Sequence, residues 1–230
     1  MFQKIACTII LILSVAFASF TTEASDTIDA FIEEVRTPSY DCPSQSLFPQ
    51  LEKTLLGESL STQQRFALTV AKGQFLICRG KYEEAEKMLL KAIMQSNIDE
   101  TSYAFASAIY QIGFSYDARE NPARCKYYKQ AQDLSSPERH SDIFTSASLG
   151  LISYCSDSSS PEVRLGKMFG VLKRYSNDGS PEELAHIHNS IGWIYGSLEQ
   201  HALAAEQYLK AHEMGLQVYE GSNRVSIIIS

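Results

Sequence analysis

The sequence predicts an all-α fold: helical hairpins stacked as an irregular solenoid, behind a cleavable signal peptide. Three observations predict it. In Ala185–Ala211 the apolar residues Ile187, Ile191, Ile194, Tyr195 and Leu198 recur at three- and four-residue steps, the spacing of one buried helix face. Small residues stand at regular intervals inside such stripes, with marker glycines at 73, 113, 150 and 192 separated by 40, 37 and 42 residues. Helix-start signals precede the stripes, as in Ser61-Thr62-Gln63-Gln64 and Ser180-Pro181-Glu182-Glu183, both of capping-box form.

Residues 1–18 stand apart. Lys4 gives a positive start, Ile5–Phe17 is an apolar run of 13 residues, and Ala16-Phe17-Ala18 has the small-x-small form of a cleavage site. That is the layout of a secretory signal, too short to span a bilayer comfortably. Cleavage is expected after Ala18, with Ala24 as the alternative; an uncleaved signal would tether the chain to a membrane. Residues 19–60 form a lead-in. Ser25-Asp26 caps a helix carrying Ile28, Phe31, Ile32 and Val35, which Thr37-Pro38 ends. A loop with Cys42 and Pro43 leads to a helix over Leu47–Leu56, closed by Gly57.

Residues 61–220 carry the repeats. The first helix, to Ile77, contains Gly73 and Leu76; Gly80-Lys81-Tyr82 turns into a second helix with Ala85, Leu89 and Ala92. The next pair has Gly113 and Tyr116 in Tyr103–Asp117, then a helix that Asn121-Pro122 starts and Tyr128 and Ala131 complete. In the third, Ser136-Pro137-Glu138 starts a helix to Gly150 and Tyr154, and Ser160-Pro161-Glu162 starts a partner with Leu165, Met168, Phe169 and Leu172 inward. The fourth is Ala185–Ala211, its second helix fraying near Gly215. Residues 221–230, with Val225 and Ile227–Ile229, begin an incomplete further repeat or a terminal strand.

Gly192, Tyr195, Ala204, Tyr208 and Ala211 resemble the tetratricopeptide repeat (TPR), with Gly-x-x-Tyr in the first helix and Ala, aromatic, Ala in the second. GKYEEAEKMLLKA is the other strong match. The 37–42-residue spacing exceeds the usual repeat of about 34, so the stack is expected to be irregular; HEAT-type pairs have similar periods. The resemblance implies a concave face lined by the first helix of each unit. It places Tyr110, Phe114 and Asp117 there, then Phe144, Leu151 and Tyr154, then His186, Asn189 and Trp193, and Asn223 from the incomplete unit. Aromatic anchors with a few polar groups suit a protein, peptide or small ligand.

Composition narrows the function. The net charge is −7 and the pI near 5.3, against nucleic acid as the main partner. Cys42, Cys78, Cys125 and Cys155 remain beyond the signal, an even count that permits disulfides outside the cytoplasm. In a solenoid each unit touches only its neighbours, which favours Cys42–Cys78 and Cys125–Cys155. No Cys-x-x-Cys, His-Glu-x-x-His, Gly-x-Ser-x-Gly or phosphate loop occurs, so neither metal, cofactor nor catalysis is expected. His186 and His188 are two apart and point to different sides of a helix.

The signal, cysteine-bearing lead-in and irregular repeats also resemble the periplasmic sensor regions of bacterial diguanylate cyclases. The cyclase signature Gly-Gly-Asp/Glu-Glu-Phe is absent, so the expectation is a periplasmic or secreted sensor part without its output domain, tethered only through a C-terminal continuation or an uncleaved signal. The alternative is an assembly scaffold that works through protein contacts alone.

Overall fold

The computed structural model describes residues 26–219, apart from 40, 58, 96, 156–158 and 178. The expected signal segment at residues 1–18, Asn223 and the expected further repeat at 221–230 lie outside those residues. Among the described residues the chain is all-helical, with no strand. Helix α1 covers residues 26–35. After a 3-10 turn at Gln45–Leu47 come α2 (Phe48–Leu55), α3 (Thr62–Cys78), α4 (Tyr82–Gln95), α5 (Tyr103–Asp117) and α6 (Arg124–Asp133). Then follow α7 (Ser141–Tyr154), α8 (Pro161–Tyr175), α9 (Pro181–Ser197) and α10 (His201–Tyr219).

The starts are set by local chemistry. Ser61 and Ser180 each accept from the backbone N–H three residues on, while Gln64 and Glu183 accept from the cap residue in return. Ser160 caps α8 with Pro161 at the first helical position, where a missing N–H costs nothing. The turn between α3 and α4 needs Gly80, which takes φ +71°.

Helices pack in two layers. Each of α2 to α10 packs on its sequence neighbour, and α3 on α5, α5 on α7 and α7 on α9 besides. The odd-numbered helices thus form one row, and the even-numbered ones back it. Close approach explains the marker glycines. A Cβ on Gly150 would lie 2.6 Å from Tyr128 Cε2, and one on Gly192 would lie 2.7 Å from Tyr208 Cε1. Large aromatic side chains of the outer layer are seated against bare backbone of the inner row. Ile187, Ile191 and Ile194 are fully buried beneath them.

Two disulfides join Cys42 to Cys78 and Cys125 to Cys155. The second ties the start of α6 to the end of α7, which makes those helices antiparallel neighbours.

Four local expectations are corrected. Ser136-Pro137-Glu138 does not start a helix: Ser136 and Arg139 exchange backbone hydrogen bonds of 2.8 and 3.1 Å in a closed turn. His140 then takes a left-handed φ of 64°, so α7 begins at Ser141. Asn121-Pro122 stays in a turn as well, because Asn121 Oδ1 accepts the Ala123 N–H and delays α6 to Arg124. Helix α10 does not fray at Gly215, which is buried, but runs on to Tyr219. Phe169 is not inward; it is 39% exposed, edge-on to Tyr195.

Candidate functional site

The inner row carries a groove of about 890 Å³. Helix α5 contributes Tyr110, Phe114 and Asp117, α7 contributes Tyr154, and α9 contributes His186, Asn189 and Trp193. Phe144 and Leu151 are not among its lining residues. On α7 the groove-facing arc is Ser146, Leu149, Gly150, Ser153 and Tyr154, the three-and-four spacing of one helix face. Phe144 lies off that arc, its ring under the Arg174 guanidinium of α8 at 5.9 Å. Leu151 packs on the core between α5, α6 and α7. That unit carries no alanine pattern to set the register, so the mapping by resemblance fails there.

Aromatic rings run along one wall. Tyr82 is 6.3 Å from Phe114, Phe114 is 6.3 Å from Tyr110, and Tyr110 stacks on Tyr128 at 5.8 Å. Tyr154 and Trp193 form a second pair, with centroids 5.3 Å apart. Trp193 is 41% exposed, which leaves an indole face open to the groove.

Between the two aromatic groups sits a polar cluster. Asp117 accepts from Arg124 Nη1 at 3.0 Å and from the Tyr128 hydroxyl at 2.9 Å. The Arg124 guanidinium lies 5.0 Å above the Tyr154 ring, a cation–π placement. Burial raises the Asp117 carboxyl, while the Tyr128 hydroxyl and Arg124 pull it back down. Burial also raises the Tyr110, Tyr128 and Tyr154 phenols, so all three keep their protons at neutral pH. The His186 imidazole is pushed by burial down to about 4 and is neutral at pH 7. The two histidines do face different ways. His188 is buried toward α10, its Nδ1 2.7 Å from Gln207 Oε1.

The lead-in also reaches the groove, which the sequence reading missed. Residues 37–39, 41 and 42 enter between α3, α5 and α7. Asp41 N–H donates to Pro38 O at 3.0 Å. Ser39 N–H donates to Asp142 Oδ2 at 2.9 Å, and its hydroxyl to Ser146 Oγ at 2.8 Å. The Tyr103 hydroxyl donates to Asp142 and lies 3.3 Å from Thr37 O; Gln74 Nε2 donates to Asp41 O at 2.7 Å. Ser39, Gln74 and Gln111 therefore close one side of the groove. No periodicity marks such a turn, because its partners stand 33 to 107 residues away.

Among the described residues no three His, Cys, Asp or Glu side chains gather as a metal set, and no helix is long and apolar enough to cross a membrane. The groove offers recognition surface: the exposed Trp193 indole beside more buried rings, neutral donors and acceptors, the Asp117–Arg124 pair and the exposed Glu120 carboxylate.

No known family pattern and no curated protein matches this sequence. Among solved structures the chain is similar to the crystal structure of BtubC (BKLC) from P. vanneervenii, with TM-score 0.52 and 14% identity over 81% of this chain and 79% of that one. At that identity the likeness concerns the fold alone.

Proposed function

We propose that this chain is an extracytoplasmic binding module, a TPR-like stack that takes a protein, peptide or small ligand in its groove. One observation carries the reading. Seven residues named from the repeat pattern, spread over α5, α7 and α9, line a single cavity. Aromatic anchors beside a few polar groups are the usual make-up of a recognition pocket. The disulfides suit an oxidising compartment. On this reading the chain is the sensor part of a periplasmic signalling protein of the diguanylate cyclase type, and its role is non-catalytic.

The test is capture from a periplasmic extract by wild-type protein and by the Trp193→Ala, Asn189→Ala double variant. Retention of each captured species should fall at least about tenfold in the variant, with the helical circular dichroism unchanged. Unchanged capture overturns the groove reading.

A second reading, the assembly scaffold, draws on α10. Leu203, Tyr208, Leu209 and Leu216 on that helix are all more than a third exposed, an apolar face of the kind that marks protein contacts. Light scattering on the eluting protein separates the two: obligate oligomers favour the scaffold, a monomer the groove.

A further inference from the structure

The two disulfides stand at different places on the helices they join. Cys125 is the second residue of α6, and Ala123 at the cap position offers no capping side chain. Free amides at a helix start favour negative charge, so a thiolate released there is stabilised. Arg124 and Lys126 flank it. Cys155 stands at the end of α7, and both residues are partly exposed. In the other bond, Cys78 is the last residue of α3, where the helix end disfavours negative charge. Its partner Cys42 is buried, at 8% exposed. Attack on either sulfur of Cys42–Cys78 thus expels a thiolate at a helix C-terminus or in the interior. Attack on Cys155 expels one at a helix start.

The same bond borders the groove. Cys125 follows Arg124, and Cys155 follows Tyr154. The Arg124 guanidinium lies 5.0 Å above the Tyr154 ring, which is 5.3 Å from Trp193. The cystine holds the two backbones beside this contact at a Cα–Cα distance of 5.5 Å. Once it opens, the last turn of α7, which carries Tyr154, is free to fray.

Resting on the groove reading above, we infer that Cys125–Cys155 is a redox-sensitive clasp. A dithiol opens it, and the Arg124, Tyr154 and Trp193 edge of the groove loosens with it. The step is thiol–disulfide exchange. One thiolate of the dithiol attacks Cys155 Sγ, the bond between the two sulfurs breaks, and its electron pair leaves on Cys125 Sγ. The second thiol of the reductant, deprotonated, attacks the mixed disulfide and releases Cys155 as thiolate. Two electrons pass from the dithiol to the cystine, the reductant ends as a disulfide, and the cysteines take up the two protons it gave.

Dithiothreitol is the probe, titrated into the intact oxidised protein, with alkylation and peptide mapping to count each opened bond. Trp193 is the one tryptophan of the chain, so its emission reads this edge. Cys125–Cys155 should open at about tenfold less dithiothreitol than Cys42–Cys78. Trp193 emission should shift to the red in step with that opening and return on reoxidation, with the helical circular dichroism retained. Cys42→Ser with Cys78→Ser should keep the response. Cys125→Ser with Cys155→Ser should show the shifted emission from the start and no response. If a variant does not fold, the wild-type titration decides alone. The other bond opening first, both opening together, or emission that ignores the Cys125–Cys155 opening overturns the clasp. Extract species whose retention needs Trp193 and Asn189 should be held about fivefold less by protein reduced at this bond alone; unchanged retention also overturns it. Absence of any such species overturns the groove reading instead, and the order of opening with Trp193 emission still decides the clasp.

Discussion

Tyr128 meets bare backbone on two sides. A Cβ on Gly113 would lie 3.0 Å from one edge of its ring, and a Cβ on Gly150 only 2.6 Å from the other. The ring is buried and its hydroxyl is held by Asp117, so it has little room to yield. Gly150→Ala should therefore lower stability by about 1–3 kcal/mol in urea titrations. Gly166 has nothing within 4 Å of its Cβ position, and Gly166→Ala should raise stability by about 0.5–1 kcal/mol through helix propensity alone. Two variants moving together would remove the close-approach account. His186 supplies a pH test. Its pKa falls from 6.5 to about 4 on folding, so between those values the unfolded chain binds a proton that the folded chain does not. Stability is complete above pH 6.5, is lost as pH falls toward 4, and loses no more to this group below that. Asp117, raised by burial, acts in the opposite sense but is common to wild type and variant. His186→Asn should flatten the wild-type slope of urea midpoint against pH over that window. At this scale the glycines were legible, because a glycine inside an apolar stripe marks a close neighbour. The partner of each was not, since spacing along one helix says nothing of what faces it.

Helix boundaries divide by how local their cause is. The Ser61, Ser160 and Ser180 starts were legible because the capping side chain and the amide it accepts lie within one turn. Ser136-Pro137-Glu138 carries the same letters but closes on Arg139 instead, and His140 turns the backbone left-handed. That choice depends on tertiary contacts: His140 Nε2 lies 3.2 Å from Thr101 O, and Ser141 donates to Glu183 at 2.8 Å. The late start of α6 has a local cause instead, the Ala123 N–H donating to Asn121 Oδ1. The cysteine pairing followed from neighbour packing. It closes loops with sequence separations of 36 and 30 residues, each worth about 3–4 kcal/mol in the chain-entropy account. Replacing either pair by serine should lower unfolding free energy by about that amount, read from denaturant curves. Loss of Cys42–Cys78 should in addition weaken amide protection at Ser39, whose turn that bond anchors.

At the scale of the molecule, an inner row of α3, α5, α7 and α9 backed by the even-numbered helices sets one long face for recognition. The sequence reading found the helices of that row and seven of the groove side chains, on α5, α7 and α9. It did not find the entry of residues 37–39, 41 and 42, whose burial depends on α7. The bonds from Ser39 to Asp142 and Ser146 span 103 and 107 residues. Stacks of helix pairs that touch only adjacent units can shed an end while the middle persists. Here the leading segment is knotted by hydrogen bonds to the centre of the row. Peeling Thr37 and Ser39 away therefore strips polar partners from α5 and α7 at once, and the chain up to α7 should melt as one cooperative block instead of unravelling from its tip.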